Sequence, residues 1–278
     1  MVFRGRLVLV GTILVVGGLA TGCRYGFNSQ DNEATDTSTL GQSISQVQLA
    51  SGPGDVSVQV GSTASVQRVL HYNGNDKPGS TTTVANGVLT LNGCGNNCTA
   101  DYTVTLPANA KIDGSTSSGD VTVSGASTVD VRTSSGSISV IGVTGAVDVS
   151  TSSGDIKAAG SGADVQAHAD SGDVTVNGVA GPVTLQTNSG RIVAEGLKGS
   201  RATVRDSSGD ISVDAAVAQD LDVQDSSGDV TVTVPNGSYR VSANTGSGDR
   251  KVTVPNDPSS QYSITAQDNS GDLRIAAA

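Results

Sequence analysis

The chain has no tryptophan, and aromatic residues of all kinds make up only 3% of it. That poverty argues against a deep ligand pocket lined by rings. Histidine is almost as scarce, with His71 and His168 alone. Cysteine occurs three times, at Cys23, Cys94 and Cys98. Basic residues are outnumbered, sixteen against 26 acidic. No amphipathic helix is legible beyond the first two dozen residues.

Residues 1–22 read as an export signal. Arg4 and Arg6 form its positive end, and residues 7–20 form an apolar run of 14 residues. A membrane span needs about 20 residues, so the run suits a signal peptide better. It ends in Leu19-Ala20-Thr21-Gly22-Cys23. That ending resembles a bacterial lipobox, in which cleavage precedes a lipid-modified cysteine. Ala20 departs from the leucine that such motifs prefer. The resemblance implies lipidation at Cys23 and anchorage to the cell membrane on its extracytoplasmic face. Removing the signal also removes Arg4 and Arg6, leaving 14 basic residues against 26 acidic ones, a net charge of −12. Such a surface disfavours nucleic acid and anionic lipid headgroups as partners.

Residues 23–46 are polar and lack apolar periodicity, which reads as a flexible tether. Residues 47–110 read as a less regular β segment that caps the repeats of residues 111–278. Within it, Cys94 and Cys98 lie between two strand-like runs. They form an even pair once Cys23 is acylated, and a disulfide is the first reading. Metal binding is the rival, although two thiols lack further ligands.

Residues 111–278 are organised by one recurring motif, Ser-Ser-Gly-Asp and its variants. Its glycines are Gly119, Gly136, Gly154, Gly172, Gly190, Gly209, Gly228, Gly248 and Gly271. Their spacing drifts from 17 to 23 residues, the mark of a stacked repeat. Residues two and four after each glycine are apolar, as in Val174 and Val176, with polar residues such as Thr175 between them. Residues seven and five before it alternate likewise, as in Val165 and Ala167 around Gln166. Period two means strands with one buried face. The copy at Gly248 departs, with Arg250 at an inward position.

No single repeat can bury its own stripe, so the coils must stack. The predicted fold is all-β. It is a β-solenoid, single-stranded and β-helix-like, of about nine coils of 17–23 residues, with each strand parallel to its counterpart one coil away.

The recurring Ser-Ser-Gly-Asp-Val, the cysteine pair before Asp101-Tyr102-Thr103-Val104-Thr105-Leu106-Pro107, and the late Val-Pro-Asn copies together resemble a known family. It is the bacterial "putative adhesin" family of β-strand-repeat proteins, largely domains of unknown function. The Val-, Gly- and Thr-rich, lysine-poor composition also looks actinobacterial.

Two columns invite functional readings. Aspartates follow most of the turn glycines, and Asp210, Asp229, Asp249 and Asp272 form the longest run. Stacked carboxylates about 5 Å apart repel by roughly 0.9 kcal/mol in water. Either a divalent cation offsets this, or each aspartate caps its own turn through backbone N–H groups. Capping is the favoured reading, so no cofactor is expected. Serine precedes every turn glycine. Nine equivalent serines without an Asp/His partner are not nucleophiles, and a hydroxyl ladder is expected there. The function expected is non-enzymatic: an envelope lipoprotein presenting a solenoid for adhesion or for binding an envelope or extracellular protein or polysaccharide. The alternatives are a carbohydrate-active β-helix enzyme and a structural spacer without a ligand.

Overall fold

The structure, a computed structural model, describes residues 31–107 and 109–278. Its strands form two sheets, one of 13 strands and one of 12. Each coil gives one strand to each sheet. The Gly172 coil, for example, places Val165–Ser171 in the 12-stranded sheet and Val174–Asn177 in the 13-stranded one. Neighbours are parallel and in register: Val174 pairs with Ile156 on one side and Ile192 on the other. This is the β-solenoid expected, of about nine turns.

The period-two pattern sets the interior. Val174 and Val176 are fully buried, whereas Thr175 is half-exposed. A narrow core of Val, Ile, Leu and Ala fills the space between the sheets. The corner glycine is fixed by two demands at once. Gly172 has φ +136°, and a Cβ there would stand 2.1 Å from Gly154 O. Backbone meets backbone at this corner, so no side chain fits. The same approach repeats up the stack, with Gly136 against Gly119 and Gly209 against Gly190.

The N-terminal region is more than a cap. Its strands are β1 (Asp31–Thr39), β2 (Gln46–Pro53), β3 (Val56–Val60), β4 (Ser65–Asn73), β5 (Thr82–Ala85), β6 (Val88–Asn92) and β7 (Cys98–Leu106). The β2–β3 pair turns at Gly54 and forms a true coil, lying directly against the Gly119 coil. The β6–β7 pair then lies outside it, so the chain skips a layer and returns. β1 pairs antiparallel with β4, which pairs antiparallel with β7. Part of the expected flexible tether is therefore a strand. Arg68 on β4 helps to hold it, donating to Asp36 and to Gly79 O at 2.7 Å. Lys77 also reaches Asp36, at 2.6 Å. The expected signal peptide and Cys23 lie outside the described residues.

At the other end the stacking order departs from the sequence order. Arg240–Thr245 and Arg250–Val252, the Gly248 coil, lie on the outside. Ser263–Asp268 and Leu273–Ala277, the Gly271 coil, insert between it and the Gly228 coil. Residues 235–239 must cross one layer outward, and residues 253–262 cross back. That accounts for the lengthened spacings and the two Val-Pro-Asn exits. It also accounts for Arg250. Its coil is terminal, so the inward position opens on the end of the rod. There its guanidinium donates to Ala243 O at 3.1 Å.

Candidate functional site

The aspartate corner is a relay between coils. Each carboxylate accepts the backbone N–H that follows the next coil's glycine. Asp173 N–H donates to Asp155 Oδ1 at 2.9 Å, and Arg191 N–H to Asp173 Oδ1 at 2.8 Å. The series begins with Asp55 N–H on Asp101 Oδ1 and Asp120 N–H on Asp55 Oδ1. Capping of each turn by its own aspartate was expected, but the acceptor belongs to the preceding coil instead. The reason is geometric: with the glycine corners stacked, the next N–H lies one sheet spacing above the carboxylate. Arg191 carries no acceptor, and its guanidinium lies 3.9 Å from Asp210. The relay resumes there. It runs Asp210, Asp229, Asp272, Asp249, with the last two exchanged relative to the sequence. Among the described residues no group of three or more His, Cys, Asp or Glu is placed to hold a metal ion.

The serine column stacks in register, Ser135 against Ser153 and Ser171 against Ser189, but its side chains do not enter the core. From Ser135 to Ser270 these side chains are exposed. The inward alternation instead runs one step further back, to the residue three before each glycine. Thr116, Thr133, Thr151 and Thr187 occupy it and are buried. Thr187 Oγ1 donates to Gly172 O at 3.1 Å, and Thr151 Oγ1 to Gly136 O at 3.1 Å. These two hydroxyls satisfy the glycine carbonyl of the preceding coil, whereas Thr133 Oγ1 donates to Ser135 O of its own coil at 3.2 Å.

In three successive layers this position is aspartate: Asp206, Asp225 and Asp268, all at most 6% exposed. Serine N–H groups bind their Oδ1 atoms, Ser207 to Asp206 at 2.6 Å and Ser226 to Asp225 at 2.7 Å. Burial pushes the Asp206 and Asp225 carboxyls above the ordinary range, against the pull of these backbone bonds. Neighbouring carboxylates add to it: Asp210 for Asp206, and Asp206 and Asp268 for Asp225. The sequence carried a signal for this set, Asp three before Gly209, Gly228 and Gly271.

Cys94 and Cys98 are joined by a disulfide, with Cα atoms 5.7 Å apart. The two strands that flank the pair do not bond to each other. β6 belongs to the 12-stranded sheet and β7 to the other, so the bond braces a corner between sheets. His168 points outward, 3.3 Å from Asp170.

The outer face of the 12-stranded sheet carries a polar row. Gln186, Arg205, Gln224 and Gln267 stand in register on successive coils. They border a shallow groove of about 260 Å³, completed by side chains such as Ser207, Ser226 and Asn269.

No curated protein matches this chain. Solved structures resemble it loosely. One is described as a "putative adhesin" from Bacteroides fragilis, 12% identical, covering 91% of this chain and 100% of its own, with TM-score 0.44. Another, a "putative lipid binding protein" from Parabacteroides distasonis, is 12% identical, covers 90% and 98%, and has TM-score 0.45. A third, a "putative cell adhesion protein" from Clostridium sporogenes, is 12% identical, covers 89% and 100%, and has TM-score 0.30. The family model Toastrack DUF4097 matches residues 37–177 and again residues 146–277, in line with the repeated coils. Together these two matches span most of the solenoid, and the chain belongs to the Toastrack DUF4097 family.

Proposed function

We propose that the mature protein is a non-enzymatic lipoprotein of an actinobacterial cell envelope, anchored through Cys23 on the extracytoplasmic face, that presents its solenoid for adhesion. The row Gln186, Arg205, Gln224 and Gln267 carries this reading. It sets amide and guanidinium groups in line, one per coil, about 4.8 Å apart. An extended polar row suits a linear partner with repeating polar groups, a polysaccharide strand or an extended protein segment of the envelope or its surroundings. The corner aspartates support the non-enzymatic part. They serve as backbone acceptors between coils and do not converge as the acids of a glycosidase must. The lipobox-like Leu19-Ala20-Thr21-Gly22-Cys23 supports the anchor.

The test is a glycan and protein array probed with the purified mature protein and with a Gln224→Ala/Gln267→Ala variant. Saturable binding that weakens in the variant is expected. Turnover of a bound glycan would make the protein an enzyme, and silence across the array would reduce it to a spacer. Either result overturns the proposal.

A further inference from the structure

The threonine-to-glycine bond has no counterpart at the three aspartates. In the Gly209 coil, the point where a glycine Cβ would sit lies 1.9 Å from Gly190 O and 2.9 Å from Asp206 Oδ2. In the Gly228 coil the same point lies 1.9 Å from Gly209 O and 3.0 Å from Asp225 Oδ2. A carbonyl and a carboxylate both only accept hydrogen bonds. Oδ2 of Asp206 and Oδ2 of Asp225 are buried and have no partner among the described residues. Asp268 differs, because Thr245 Oγ1 stands 3.4 Å from its Oδ2.

We propose that Asp206 and Asp225 hold protons: each is a neutral carboxylic acid whose Oδ2–H donates to the glycine carbonyl of the preceding coil, Gly190 O and Gly209 O respectively. The proton restores the bond that Thr151 and Thr187 make elsewhere. Its loss sets two acceptors against each other inside the corner and loosens the C-terminal coils.

Among the described residues no basic side chain pairs with either carboxyl; Arg191 lies beside Asp210 instead. Thr187 precedes Asp206, Asp210 lies on its own coil, and Asp225 and then Asp268 follow. Arg205 is adjacent in sequence but pairs with Asp222 at 3.3 Å. Two residues past the corners lie buried Ile211, Val230 and Leu273. The upward push on both carboxyls agrees with this geometry. A raised acid in the folded state binds more protons than in the unfolded chain. Its stabilisation is full below the unfolded value, about 3.9, and is lost as pH rises towards the folded value.

The experiment compares the protein with an Asp206→Asn/Asp225→Asn variant, whose amides can donate permanently while Oδ1 still accepts from the serines. Melting is followed at pH 5 and pH 8, with amide hydrogen exchange in the Gly209 and Gly228 coils. The variant is expected to melt several degrees higher at pH 8, with slower exchange, and the gap to close towards pH 5. A variant equally or less stable at pH 8, or a gap independent of pH, overturns the proposal. So does calcium raising the melting temperature of the parent but not of the variant, which would put a cation in the proton's place. If the variant does not fold, the carboxyl spectrum of ¹³C-aspartate-labelled parent at pH 6 decides. Two protonated carboxyls are required, and none overturns the proposal.

Discussion

Consider Val176 and Thr175, adjacent residues on one strand. Val176 is fully buried and stacks in register between Ala158 and Ala194. Val176→Asp forfeits the burial of a valine, about 1.5–3 kcal/mol. It also places a carboxyl in hydrocarbon without a partner, at least ~2 kcal/mol more. The sum, about 3.5–5 kcal/mol, is a large part of a typical domain's stability. Thr175→Asp adds the same group one residue earlier, on the solvated face, where substitutions usually stay within about 0.5 kcal/mol. Gly172→Val is a third arm. Its Cβ would meet Gly154 O at 2.1 Å, and a β-branched residue at φ +136° is a severe outlier. Thermal and urea melts of the three variants beside the parent measure this. Val176→Asp and Gly172→Val should fall far below the parent while Thr175→Asp stays close to it. Similar losses for Val176→Asp and Thr175→Asp would refute the alternation and the stacked core with it.

Cys23→Ala should release the protein from membranes into the medium; a variant that still partitions into detergent contradicts the lipid anchor. Thiol titration of the exported, folded protein should find no free thiol at Cys94 or Cys98, and two reactive thiols would contradict the bond. Asp155→Ala removes the acceptor for Asp173 N–H and should cost about 1 kcal/mol in urea unfolding, whereas Asp155→Asn should cost less. Equal losses for the two, restored in neither case by a hydrogen-bond acceptor, would argue that charge rather than capping matters there.

Much of the fold was legible because a solenoid writes itself in periods. The glycine spacing gave the coil, and the alternation gave the inward face, since a one-residue slip would expose Val174 and Val176 together. Other features left weaker traces. β1 is polar apart from Ala34 and is held by its ladder to β4 and by Asp36, so hydrophobic periodicity could not reveal it. The serines share the parity of the buried positions, but they sit at the strand end beside the corner, where the alternation breaks and they are exposed. Coil order was hidden for a different reason. The Gly248 and Gly271 coils carry the same corner motif, and either could have stacked on Gly228. Only Arg250 in an inward position hinted that its coil was the outer one.

That exchange of order is the point on which the stacking account can be tested most directly. Thr231 pairs with Arg274, and Arg274 with Lys251, so Thr231 and Lys251 lie two layers apart. Adjacent parallel strands lie about 4.8 Å apart, within disulfide reach; two layers, about 9.6 Å, are not. Cysteine pairs would be introduced at 231 with 274, at 274 with 251, and at 231 with 251, and oxidised in the folded protein. Crosslinking of the first two pairs and not the third is the outcome the structure predicts. Crosslinking of 231 to 251 in place of 231 to 274 would show that the coils stack in sequence order, and would contradict it.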